Sequence, residues 1–100
     1  MLILSGTLKM PPERLDALED AMNRLIAATR PEAGCIVYSF GRDITEPGLV
    51  RIYEEWESRE LLAAHVKTAH VAEWHRVLAE AGGAETALKL VEVAATEPFA

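Results

Sequence analysis

At the start of the chain, over residues 2 to 9, Leu2, Leu4 and Leu8 alternate with Ile3, Ser5 and Thr7. Alternation with a period of two predicts a β-strand. After Pro11 and Pro12 the spacing of apolar residues changes to three and four, which predicts an amphipathic helix that ends before Pro31. The apolar positions of this helix are Leu15, Leu18, Met22, Leu25 and Ile26.

Two β-branched and aromatic segments follow, at residues 35 to 40 and 49 to 56. The turn sequence Glu46-Pro47-Gly48 separates them, so they predict a β-hairpin. Ser58 is a suitable N-cap for a short helix to about residue 65, and Thr68 for another that ends at Gly82-Gly83. A last strand is predicted over residues 87 to 93.

The predicted order of elements is βαββαβ, the order of the ferredoxin-like α+β fold. In that fold a four-stranded antiparallel sheet carries its helices on one face. With 100 residues and no internal linker, the chain predicts a single domain over residues 1–100.

Several predicted strands carry apolar residues on both faces. In the second strand Ile36, Tyr38 and Phe40 alternate with Cys35 and Val37, and the last strand sets Leu88 and Leu90 against Val91 and Val93. Because the helices can cover only one face, we expect a second copy of the chain to cover the other. The sequence therefore predicts a homodimer.

Composition narrows the range of partners. The net charge is −6, from 16 acidic and 10 basic residues, and the basic residues are scattered. A nucleic acid or an anionic membrane would need a concentrated positive surface, so neither is an expected partner. No apolar run approaches the roughly 20 residues that span a bilayer, the N-terminus does not resemble a signal peptide, and a cytoplasmic location is expected.

Histidines and tryptophans crowd into residues 56 to 75, the chemically most distinctive part of the chain. They are Trp56, His65, His70, Trp74 and His75. A neutral imidazole can accept a proton from an acidic phenol or enol, and indole and phenol rings can enclose a flat aromatic ligand. This segment predicts a pocket for a small aromatic molecule.

The spacing of the histidines argues against a metal site. They lie five residues apart, which turns each by about 140° from the last on a continuous helix. They would share no face unless the helix breaks near Lys67. Neither a HExxH motif nor a Cys–His spacing typical of structural zinc is present, so no metal is expected.

The segment from Tyr53-Glu-Glu-Trp56 through His65 to His70 resembles the signature region of the antibiotic biosynthesis monooxygenase (ABM) superfamily. The segment Glu32-Ala-Gly-Cys-Ile-Val-Tyr38 resembles the start of that family's second strand. The resemblance implies a dimeric α+β barrel with one pocket per subunit, between the sheet and the helices. It also implies oxidation of quinols or polycyclic phenols without flavin or metal, where the substrate anion reduces oxygen.

Haem-degrading relatives use an Asn on the first strand, a Trp on the second helical region and a His ten residues later. In this sequence His65 stands in place of that Trp and His75 in place of the iron ligand, while the first strand has Ser5, Gly6 and Thr7 without an Asn. Haem degradation is therefore not expected, although His75 keeps haem binding as an alternative.

The resulting prediction is a cofactor-independent monooxygenase for a small phenol or quinol. His65 is the expected base and His70 the second candidate, while Tyr38, Trp56, Trp74 and His75 are expected to bind the substrate. The alternatives are a non-catalytic dimeric ligand-binding module and a haem-binding or isomerase member of the same superfamily.

Overall fold

The computed structural model describes all residues from Met1 to Ala100. Four strands and three helices follow one another along the chain. They are β1 (Leu2–Lys9), α1 (Pro12–Thr29), β2 (Cys35–Arg42), β3 (Leu49–Trp56), α2 (Arg59–Val66), α3 (Ala69–Glu80) and β4 (Glu85–Glu92). The strands form one antiparallel sheet in the order β2-β3-β1-β4. This arrangement confirms the predicted ferredoxin-like α+β fold.

The helix boundaries follow the predicted capping residues. Pro12 opens α1, where its missing N–H costs no hydrogen bond. The Ser58 side chain accepts a hydrogen bond from the N–H of Leu61, and Thr68 accepts one from Val71. Gly82 and Gly83 have positive φ after α3, which explains why this helix ends there.

The hydrophobic core lies between the helices and one face of the sheet. The sheet contributes Leu8, Val50, Ile52 and Trp56, α1 contributes Leu15, Leu18, Met22 and Leu25, and α3 contributes Val71 and Trp74. Because α1 packs against α3 and β2, the helices cover the sheet unevenly. Every residue of β4 is exposed, which leaves this edge strand outside the core.

A bulge in β2 corrects the predicted alternation of that strand. Cys35 pairs with Trp56 and Val37 pairs with Glu55, so Ile36 is an additional residue between them. Ile36 is 48% exposed, whereas Tyr38 is buried against the helices. The bulge shifts the phase of the strand, so Ile36 does not share the environment of Tyr38 and Phe40, as simple alternation predicts.

The face of the sheet without helices is more polar than the sequence pattern predicts. Pairing places Ser5 opposite Tyr53 and Lys89, and the next pair on this face joins Thr7 with Arg51. The Tyr53 hydroxyl donates a hydrogen bond to Glu55 on the same face, at 2.7 Å. This face therefore carries a polar row beside the apolar residues that the sequence pattern places on it, and the homodimer stays a prediction.

None of the three helices combines the length and the apolar composition needed to cross a membrane.

Candidate functional site

The helical segment that carries the histidines is broken between His65 and His70. Helix α2 ends at Val66, and Thr68 caps the start of α3. The Thr68 hydroxyl donates a hydrogen bond to the carbonyl of His65 at 2.8 Å and accepts one from the N–H of Val71. This corner between α2 and α3 removes the angular separation that a continuous helix would impose.

Both histidines of the corner contact the same carboxylate oxygen. Glu32 Oε2 lies 2.8 Å from His65 Nδ1 and 2.7 Å from His70 Nε2. An ionised carboxylate only accepts hydrogen bonds, so the facing nitrogen of each imidazole carries the hydrogen. On a continuous helix these histidines would share no face, but the break between α2 and α3 brings them together.

Burial and hydrogen bonding shift the pKa of Glu32 in opposite directions. Burial alone raises the pKa of this carboxyl group, but the hydrogen bonds from His65 and His70 outweigh it and hold the pKa below its ordinary value. Glu32 lies in the turn between α1 and β2. The carboxylate therefore joins this turn to the corner between α2 and α3.

A cavity of about 220 Å³ lies between the sheet and the helices, next to this cluster. Its walls are mainly apolar and aromatic, and they include Tyr38, Phe40 and Ile52 from the sheet and Trp74 and Leu78 from α3. The titratable residues on its walls, apart from Tyr38, are Glu54, His65 and His75. An apolar cavity with a few polar groups is typical of a small-molecule site.

Glu54 is the buried carboxylate of this cavity, with only 4% of the residue exposed. Its Oε1 accepts a hydrogen bond from Trp56 Nε1 at 2.9 Å, and this is the side chain's one hydrogen bond within the chain. Burial raises the pKa of Glu54, and the charge of Glu32 adds to this effect, while the Trp56 hydrogen bond opposes it. Oε2 is left available for a ligand.

Sequence reasoning missed Glu54 as a site residue, although a signal was present. Glu54 and Glu55 are adjacent in β3, so one of them must point toward the helices. Glu54 is in phase with Ile52 and Trp56, which are both buried. That phase identifies Glu54 as the inward-pointing carboxylate.

Most of the residues predicted to form the site lie around two neighbouring spaces and not around one. Tyr38, His65, Trp74 and His75 line the cavity. His70 lines a neighbouring hollow of about 230 Å³ between α1 and α3, and Trp74 borders both spaces.

Trp56 is fully buried and is not among the residues that line the cavity. Its ring centroid lies 4.7 Å from that of His65. Trp56 would therefore act on a ligand only indirectly, through its hydrogen bond to Glu54 and its packing against His65.

Tyr38 stays protonated over the ordinary pH range. Burial raises the pKa of its phenol, and the negative charge of Glu54 acts in the same direction. Its ring centroid lies 5.4 Å from that of His65, in an edge-on arrangement. Tyr38 can therefore offer a ring wall and a neutral hydroxyl to a ligand.

Comparison with known proteins identifies the family. The family model described as "Antibiotic biosynthesis monooxygenase" matches residues 1–77. This chain belongs to the ABM family. The match includes Glu32, Glu54 and all three histidines, and it ends before β4.

Solved structures show the same ABM fold. A crystal structure from Deinococcus radiodurans with the same family description has a TM-score of 0.92 and 24% identity, and covers 100% of this chain and 99% of its own. A Bacteroides thetaiotaomicron protein of unknown function, described as a possible oxidoreductase, is 30% identical, with a TM-score of 0.82 and coverage of 92% and 96%.

A curated relative of this ABM chain is the uncharacterized protein sll1783 of Synechocystis, which is 26% identical over 96 residues. The alignment covers 96% of this chain and 65% of the relative. The chain thus spans about two thirds of the length of that protein.

Proposed function

We propose that this ABM-family chain is a cofactor-independent monooxygenase that oxidises a small phenol or quinol with O2. The observation that carries the proposal is Glu54, a buried carboxylate with a raised pKa and one unbonded oxygen on the wall of an apolar cavity. Such a carboxylate is a stronger base than a solvated one, which suits the removal of a phenolic proton.

The size and walls of the cavity support a small aromatic substrate. At about 220 Å³ the cavity is below the roughly 300 to 1,000 Å³ of pockets for drug-sized ligands. Tyr38, Phe40 and Trp74 offer ring faces and edges against which a flat substrate can pack. A haem group is larger than this space.

In the proposed reaction Glu54 Oε2 takes the proton of a substrate hydroxyl. The electron-rich anion then reduces O2, one oxygen atom forms a new bond to a ring carbon, and the O–O bond breaks. The substrate loses two hydrogens and gains one oxygen, while the second oxygen atom leaves as water. The apolar walls exclude bulk water from the anion, and the substrate supplies all the electrons.

Oxygen consumption with a panel of quinols and anthrones tests this proposal. We expect wild-type protein to consume O2 faster than buffer, and E54Q to lower kcat by about 100-fold, because an amide cannot accept the proton. E55Q is the matched control, because Glu55 lies on the opposite face of β3 and bonds Tyr53. E55Q should retain a rate within about twofold of wild type.

Two results would contradict the proposal: no rate above buffer across the panel, or an unchanged rate in E54Q. The prediction that His65 or His70 is the base is tested in the same assay with H65Q and H70Q. A compound that raises the melting temperature without O2 uptake would instead favour the ligand-binding alternative.

A further inference from the structure

Three metal-ligating side chains converge where the α2–α3 corner meets the turn before β2. Glu32 comes from that turn, His65 from the last turn of α2 and His70 from the first turn of α3. One ligand atom of each residue lies within 4.8 Å of the other two. Long-range folding assembles this cluster, because Glu32 is 33 residues from His65 and 38 from His70.

The donor set suits a divalent first-row transition metal. Imidazole nitrogens with a carboxylate oxygen bind Zn²⁺ at about 2.0 to 2.2 Å, which places neighbouring ligand atoms roughly 3 Å apart. In the structure the Glu32 oxygen is 2.8 Å and 2.7 Å from the two nitrogens. The two imidazole nitrogens lie up to 4.8 Å apart, so the imidazoles must close around the ion for both to bind it.

The cluster is buried on the side of His65 and accessible to solvent on the side of His70. The exposed fractions of the side chains are 5% for His65, 16% for Glu32 and 26% for His70. The ion can therefore enter from the His70 side, where water can complete a tetrahedral coordination. The negative charge of Glu32 compensates part of the charge of the ion.

We propose that Glu32, His65 and His70 form a binding site for Zn²⁺, in which the metal replaces the two hydrogen bonds between the carboxylate and the imidazoles. The ion connects the turn before β2 to the α2–α3 corner and stabilises the folded chain by binding only to it. The metal site shares His65 with the wall of the cavity but does not include Glu54, the proposed base of the oxidation.

Titration of the tag-free, chelator-treated 100-residue chain with zinc sulfate tests the site. Calorimetry should give one Zn²⁺ per chain, and the melting temperature should rise by several degrees at saturating zinc. Cobalt chloride should produce visible d–d absorption of a bound Co²⁺. None of these measurements requires a substrate, so they separate the metal site from the oxygenase activity.

H70A is the decisive variant, because His70 is the most exposed ligand and its removal leaves the core intact. We expect it to weaken Zn²⁺ binding by more than the roughly 10- to 100-fold caused by losing an outer-shell partner. H75A is the matched control, since His75 lies on α3 outside the cluster, and it should bind Zn²⁺ as wild type does.

Circular dichroism establishes that H70A is folded, and E32Q provides a second ligand variant if it is not. Two results would overturn the proposal: wild-type protein that binds no Zn²⁺ at about 100 μM, or equal affinities in wild type and the folded ligand variant. Either would mean that Glu32 only holds the two imidazoles by hydrogen bonds.

Discussion

At the scale of single residues, Glu54 shows how position within a strand sets the chemistry of a carboxylate. Its neighbour Glu55 faces the open side of the sheet and bonds the Tyr53 hydroxyl. Glu54 faces the cavity with Trp56 as its one donor. Two identical side chains, adjacent in sequence, therefore differ in burial and in hydrogen-bond partners.

The raised pKa of Glu54 predicts the pH dependence of the oxidation. The ionised carboxylate is the active form, and burial makes it take up a proton at a higher pH than an ordinary Glu, whose pKa is 4.5. We therefore expect kcat/KM to fall as the pH is lowered, with its inflection above 4.5.

A pH–rate profile of wild-type protein measures this fall of kcat/KM at low pH. Circular dichroism at each pH shows whether the protein remains folded. A folded protein whose rate stays constant down to pH 4.5 would contradict the assignment of Glu54 as the base.

The site residues differ in how much of their placement a local sequence pattern reveals. The histidines and tryptophans are rare and clustered, so the sequence points to them directly. The phase of β3 would have identified Glu54 as inward-pointing, although sequence reasoning missed it as a site residue. Glu32 is separated from the histidines by more than 30 residues, so its contact with them is not visible in any local pattern.

At the scale of elements, the corner between α2 and α3 is the feature that assembles the histidine cluster. Thr68 caps α3 and also bonds the carbonyl at the end of α2. Without this hydroxyl, the end of α2 and the start of α3 lose hydrogen-bond partners together.

Substitution of Thr68 tests the corner. T68A should lower the free energy of unfolding by about 1 kcal/mol, as loss of an N-cap typically does. T68S keeps the hydroxyl and should stay within about 0.5 kcal/mol of wild type. Urea denaturation measures both values, and equal stabilities for T68A and T68S would show that the cap contributes nothing.

The helix boundaries were predictable because caps, prolines and glycines mark them locally, whereas β4 begins at Glu85 and not at the predicted residue 87. The bulge at Ile36 was not predictable, because it depends on how β2 pairs with β3 and no residue in the segment signals it. The break between α2 and α3, in contrast, was predicted from the N-cap residue Thr68, and the structure confirms this cap.

At the scale of the whole molecule, the edge strand β4 leaves apolar surface uncovered. Leu88, Leu90 and Val91 are 43%, 40% and 36% exposed. Alternation places the two leucines on the opposite face from Val91, so apolar surface lies on both sides of this edge. A second copy of the chain that packs against β4 would remove this surface from water.

Light scattering at micromolar concentration tests the homodimer. We expect twice the chain mass of 11.0 kDa, and a shift toward the single-chain mass in L90E, because the introduced charge would be buried in the interface. D20K, a charge reversal on the exposed surface of α1, serves as the control. A wild-type mass of 11.0 kDa would exclude the dimer under these conditions.

The sequence by itself determined the order of elements, the fold class, the family and the segment that carries the histidines. These properties depend on local periodicity, on capping residues and on motifs that are contiguous in the chain. Only the tertiary structure decided that Glu32 joins His65 to His70 and that Ile36 leaves the face occupied by Tyr38. Those facts depend on strand pairing and on contacts between distant segments, which become neighbours only when the chain folds.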